Sequence, residues 1–183
     1  NLELPFDESE WTIFLEKSIR RGELEVADLA LHYESLRGSS YKDIFTNLLS
    51  LIAEKRANNK SKWIGLHEVW ILDYFPSLAR AFPDARFLIM FRDPRATINS
   101  MMGVKTTDPS QVAQVISYIR HWRKYVALAI KFSADPLFLG RLHITSHDLV
   151  LTQTEETLKN ICRAFELDLD EKMLNSDNFF DHA

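Results

Sequence analysis

The chain has 183 residues, 46% of them hydrophobic and 26% charged, which suits one globular domain, residues 1–183, with a sizeable core. A formal net charge of −4 supplies no basic field, which argues against nucleic acid as a partner. The single cysteine, Cys162, excludes an internal disulfide, and no apolar run approaches the ~20 residues of a membrane span.

The first third reads as helices, and residues 1–40 form a helical region. Asp7 and Ser9 are capping candidates ahead of Trp11, Phe14, Leu15 and Ile19, which keep helical spacing. A second helix is expected from Leu24 to Leu36, stopped by Gly38. Ser39 or Ser40 opens a third, with Tyr41, Ile44, Phe45, Leu48, Leu49 and Ile52 on one face. The polar stretch from Glu54 to Lys62 reads as a solvated helix end and loop.

The pattern then changes to alternating strands and helices. Lys62 to Val69 is expected to be a short strand, and Ile71 to Phe82 a helix with Pro76 in its first turns. Pro83-Asp84 is a turn, and Arg86 to Phe91 is a continuous apolar run, as in a strand covered on both faces. A helix follows from Pro94 to about Met102. A long amphipathic helix is expected from Pro109 to Ser133, buried along Val112, Val115, Ile116, Ile119, Trp122, Val126 and Ile130. Arg141 to Ser146 reads as a strand, and Thr154 to Phe165 as a helix with Leu158, Ile161 and Phe165 inward. This order predicts an α/β fold, a parallel sheet flanked by helices, with its core in residues 41–167 and a tail at 168–183.

The junction "FPDARFLIMFRDPRATINS" (Phe82 to Ser100) carries the clearest chemistry. Ligands of open parallel sheets collect beyond the carboxyl ends of the strands, and Arg92 stands at such an end. Asp93 is an acceptable N-cap and Pro94 a favoured first helical residue, so a helix start with its N–H groups faces the same rim. Arg92 offers a planar, two-pronged donor suited to phosphate, and Ser100 a hydroxyl two turns into the helix. The bland alternative is an Arg92-Asp93 ion pair that fixes the turn, with Ser100 facing solvent. Arg95 is the weaker phosphate candidate, since a first-turn arginine opposes the helix dipole and can simply reach solvent.

This segment resembles the 3′-phosphate-binding segment of the sulfotransferases that use 3′-phosphoadenosine 5′-phosphosulfate (PAPS). Their "fPdAkfI…RdPrd…S" pattern is matched by Arg92 and, eight residues on, Ser100. The likeness extends over Tyr41 to Leu167, with a second similar stretch from Leu142 to Leu167. It implies the P-loop nucleotide-type fold of that family. It also implies transfer of a sulfuryl group from PAPS to a hydroxyl or amine of a small-molecule or glycan acceptor, with release of 3′,5′-ADP. Arg92 and Ser100 then bind the nucleotide. The catalytic base, His or Glu from a loop beyond a strand in this family, falls to His67 or Glu68 in "GLHEVW". A histidine near its ordinary pKa suits that role at neutral pH. No metal is expected, since no His, Cys, Asp or Glu sets have the zinc-like spacing of a structural site. The helices before Tyr41 and the loop from Met101 to Asp108 are expected to shape the acceptor pocket.

The chain departs from the family in three places. The glycines, at 22, 38, 65, 103 and 140, match no "PKSGTT"-type phosphate loop. "RGSSYKD" from Arg37 follows no apolar strand and is rejected as that loop. Ser146-His147 replaces the usual Tyr-Glu, although Asp148-Leu149 is retained. The family's further Gly-rich loop over the nucleotide has no counterpart. The expectation is therefore a chain incomplete at its N-terminal strand-loop-helix unit, which the Asn1 start favours, or a catalytically inactive relative used for binding. A kinase-like transferase is the remaining alternative, but no Walker loop accompanies it. A cytoplasmic location is expected, with a Golgi lumen as the alternative.

Overall fold

The computed structural model describes residues 2–5, 7–10, 38–57, 63–67, 71–102 and 111–175. The chain divides into two compact units, Asn1–Ile71 and Leu72–Ala183. The helices expected around Trp11 to Ile19 and over Leu24–Leu36 lie outside the described residues, as does the loop beyond Met102 up to Asp108.

In the first unit, Asp7 acts as the N-cap the sequence suggested. Its Oδ1 accepts from the backbone N–H groups of Ser9 at 2.9 Å and Glu10 at 3.1 Å. Helix α1 (Tyr41–Ala57) starts with a reciprocal box. The Ser40 Oγ accepts from the Asp43 N–H at 3.2 Å, and the Asp43 Oδ2 accepts from the Ser40 N–H at 3.1 Å. Gly38 sits so close that a Cβ there would lie 2.4 Å from the Asp43 Cβ, so the box needs glycine at that point. Ile44 is buried and Tyr41, Phe45, Leu48 and Leu49 are half-buried, as the spacing predicted. Gly38 to Ser40 therefore opens a helix.

The expected strand from Lys62 to Val69 does not form over its described part. Trp63 to His67 is irregular, and all five residues are exposed. β-branched and aromatic residues favour a strand only where a neighbouring strand takes up their backbone groups, and none of the described residues pairs with this stretch.

The second unit is mixed α/β. A 3-10 turn (Ile71–Tyr74) runs into helix α2 (Phe75–Ala81), with Pro76 in the first turn where its missing N–H costs nothing. Strand β1 (Phe87–Phe91) lies parallel to β2 (Leu142–Ser146), in register from Phe87 opposite Leu142 to Phe91 opposite Ser146. Between them come helix α3 (Pro94–Met102), helix α4 (Gln111–Ser133) and a 3-10 turn (Pro136–Phe138). Parallel neighbours need such a crossover. After β2 come the short helix α5 (His147–Thr152), which the sequence did not announce, and α6 (Thr154–Phe165).

The core is a cluster of four rings from four elements. Phe75 of α2 lies 4.7 Å from Phe87 of β1, and Phe138 lies 4.7 Å from Phe132 of α4 and 5.3 Å from Phe87. Arg141, just before β2, ties the same elements together. Its guanidinium donates to the carbonyls of Phe82 at 3.1 Å, Pro83 at 2.6 Å, Ala79 at 3.1 Å and Leu137. The Ala79 and Phe82 carbonyls belong to the end of α2, where a helix leaves its carbonyls unpaired.

Two packing expectations are corrected. The buried side of α4 is rotated from the predicted stripe: Ala129 and Phe132 are buried, whereas Ile116, Ile119 and Ile130 are 44%, 39% and 66% exposed. This helix is apolar over more than one face, so periodicity alone could not choose which side meets the sheet. Strand β1 is covered on one face, by Phe87 and Ile89, while Leu88 and Met90 are well exposed. A continuous apolar run does not report how many layers cover it.

Candidate functional site

Both strands end together, because Phe91 pairs with Ser146. Arg92 and His147 are thus the first residues past a common rim, and a helix starts from each strand. Ser146 caps α5, its Oγ accepting from the Leu149 N–H at 3.2 Å. His147, half-buried, is the first residue of α5.

Asp93 caps α3 more completely than the sequence suggested. Its Oδ1 accepts from the N–H groups of Arg95 at 2.8 Å and Ala96 at 3.3 Å, and its carbonyl accepts from the Thr97 N–H at 2.9 Å. Pro94 has no N–H. The first turn of α3 is thereby satisfied from within, so the helix start offers few open donors to a ligand. An anion at this rim depends on side chains.

The Asp93 carboxylate is also the partner of Arg95. Arg95 Nε donates to Oδ1 at 3.1 Å and Nη2 to Oδ2 at 2.8 Å. The Arg95 side-chain bonds, aided by its N–H and that of Ala96, hold the Asp93 pKa far below the usual carboxylate range. Arg95 reaches solvent, as expected, and is also an ion-pair partner; Asp93, the expected partner of Arg92 in the bland reading, is taken.

Arg92 is exposed, and its guanidinium has no hydrogen bond or ion pair with the described residues. Its backbone is held, because its carbonyl accepts from Trp122 Nε1 of α4 at 3.2 Å. The Trp122 ring meets Phe91 edge-on, with centroids 6.5 Å apart. Ser100 lies on α3 in line with Asp93 and Thr97, four and then three residues apart, the spacing of one helix face. It is exposed, and its hydroxyl makes no hydrogen bond with the described residues. Six residues of ~1.5 Å rise place it about 9 Å along α3 from Pro94. Arg92 and Ser100 thus flank one helix in the second unit.

His67 is exposed at the end of the irregular stretch Trp63 to His67 in the first unit, and Glu68 lies outside the described residues. Among the described residues no group of three or more His, Cys, Asp or Glu side chains gathers in a way that could hold a metal. No helix of the described residues is long and apolar enough to cross a membrane.

Two residues at this site escaped the sequence reading. Trp122 was assigned to the buried stripe, and its polar role depends on a partner thirty residues away. Asp93 was read as a cap but not as the anchor of Arg95; an arginine two residues past an N-cap aspartate is a local signal that could have shown it.

The carboxyl ends of parallel strands, where Arg92 stands, are where ligands of open α/β sheets collect. Comparison with known proteins gives the class: the sulfotransferase family matches over residues 7–171, and the chain belongs to that family. Neither the curated proteins nor the solved structures yield a match.

Proposed function

We propose that the protein is a PAPS-dependent sulfotransferase that moves a sulfuryl group to a hydroxyl or amine of a small molecule or glycan and releases 3′,5′-ADP. The acceptor oxygen or nitrogen forms a bond to sulfur. The bond from sulfur to the bridging oxygen of PAPS breaks, its electron pair stays on the nucleotide's 5′-phosphate, and the acceptor's proton goes to a base. Positioning and charge stabilisation dominate such a transfer. Family membership supports the reaction class. In this reading Arg92 and Ser100 hold the 3′-phosphate, and His67 or Glu68 takes the proton.

One observation carries the assignment of the nucleotide end. The only carboxylate beside Arg92 in sequence is committed to Arg95, which leaves the Arg92 guanidinium exposed at the rim and available to a phosphate. The test is calorimetric titration with 3′,5′-ADP and with 5′-AMP. Preference for 3′,5′-ADP, lost in Arg92→Ala, is the expected result; equal affinity for the two nucleotides removes the assignment. For the base, His67→Ala and Glu68→Gln are compared in a sulfuryl-transfer assay. Removal of a general base costs about 10²- to 10⁴-fold in turnover, so wild-type rates in both variants exclude this stretch from the chemistry.

A further inference from the structure

We propose that Trp122 is a positioning residue for the 3′-phosphate contact, holding the peptide from which the Arg92 side chain departs. The inference rests on the reading of Arg92 as the phosphate ligand. Arg92 is the first residue past β1, beyond the last ladder pair of Phe91 with Ser146. Its side chain has no protein partner among the described residues, so among these only the backbone bears on its aim. Two contacts from one side chain fix that backbone. The Trp122 indole N–H donates to the Arg92 carbonyl at 3.2 Å, and the Trp122 ring packs edge-on against Phe91.

The carbonyl of Arg92 belongs to the peptide plane that it shares with Asp93. Turning that plane changes ψ of Arg92, on which its side-chain rotamers depend, and the seat of the Asp93 cap. The indole is a donor with no acceptor capacity, so this bond has one sense only and cannot be replaced by an inverted pairing. Helix α4 therefore contributes to nucleotide recognition without touching the nucleotide. A long, phosphate-binding arginine on an unanchored peptide would lose more entropy on binding than one already aimed.

Trp122→Phe tests this, because phenylalanine keeps an aromatic ring against Phe91 and removes only the donor. The readout is the ratio of the dissociation constants for 5′-AMP and 3′,5′-ADP. A lost neutral hydrogen bond corresponds to roughly three- to tenfold, and the ratio is expected to fall by that factor while the affinity for 5′-AMP changes less than twofold. A ratio equal to wild type, or parallel weakening of both nucleotides with a lowered Tm, overturns the proposal and leaves Trp122 as packing. Arg92→Ala runs alongside. If it removes the preference and Trp122→Phe does not, the positioning role alone fails; if neither removes it, the phosphate reading fails with it. A readout on the unmodified protein backs the variant: the Trp122 indole N–H resonance is expected to shift with 3′,5′-ADP and not with 5′-AMP. A resonance indifferent to 3′,5′-ADP also overturns the proposal.

Discussion

Arg95 grips Asp93 with two prongs, Nε to Oδ1 and Nη2 to Oδ2, and so takes from Arg92 the one carboxylate next to it in sequence. The motif Arg-Asp-Pro-Arg therefore divides its labour. One arginine and the aspartate build the helix start, and the other arginine stands exposed at the rim with no ion pair among the described residues. An arginine already paired would have to break an ion pair before it could bind phosphate; Arg92 has no such pair among the described residues.

This division has a pH signature. The Asp93 pKa is depressed by Arg95, so the charged cap is favoured in the folded state. Its contribution to stability is present above the unfolded carboxyl pKa of about 3.9 and is lost only as pH falls through the lower folded value. Titration of the Asp93 carboxyl carbon by NMR should give a midpoint well below 3.9. In Arg95→Gln the midpoint should rise toward that value. An Asp93 that titrates normally in the wild-type protein contradicts the ion pair.

Ser100 should matter less than Arg92. A neutral hydroxyl gives a bond worth about 1 kcal/mol, and a charged guanidinium about 1.5–3 kcal/mol. Ser100→Ala is expected to weaken 3′,5′-ADP about threefold to tenfold, and Arg92→Ala about tenfold to a hundredfold. Affinity for 5′-AMP should be unchanged in Ser100→Ala if the hydroxyl serves the 3′-phosphate. A calorimetric loss of equal size for both nucleotides would place Ser100 elsewhere in the site.

Arg141 should be the most sensitive charged residue for stability. Its fork satisfies carbonyls at the end of α2 and in the turns before β1 and β2, and a lysine cannot reproduce four planar contacts. Arg141→Met leaves those acceptors without their donor and is expected to cost about 2–3 kcal/mol. Urea unfolding checks it. Arg141→Lys should recover less than half of the loss, and full recovery would show that charge alone, not the fork, is needed.

The ring cluster predicts a large core effect. Phe132 is 2% exposed and packs 4.7 Å from Phe138. Phe132→Ala should destabilise by about 3–5 kcal/mol through lost burial and the cavity left behind. On α4, Ile130→Ala, at an exposed site, should stay within about 0.5 kcal/mol. Equal losses would restore the stripe predicted from periodicity, and thermal unfolding of the two variants decides between them.

Much of the local structure was legible in the residues. Asp7 and Ser40 announced their helix starts, Pro94 and Met102 bracketed α3, and Thr154 to Phe165 formed the helix that its apolar spacing required. These signals are local, since a cap or a repeating apolar face is complete within one or two turns. The strand pair β1 and β2 was legible too, because short apolar runs separated by helices suit little else. The Arg92 to Ser100 spacing, with its likeness to the sulfotransferases, was as readable as any element.

The chain's own residues thus determined where most of its described elements begin and end, and which family it belongs to. Only the tertiary structure decided which side of α4 is buried, that Trp63 to His67 has no strand partner among the described residues, and that Trp122 bonds to Arg92 rather than only filling the core. Those outcomes turn on contacts between residues distant in sequence. A repeating pattern records that a face is apolar, but the neighbour it meets is chosen by the packing of the whole unit.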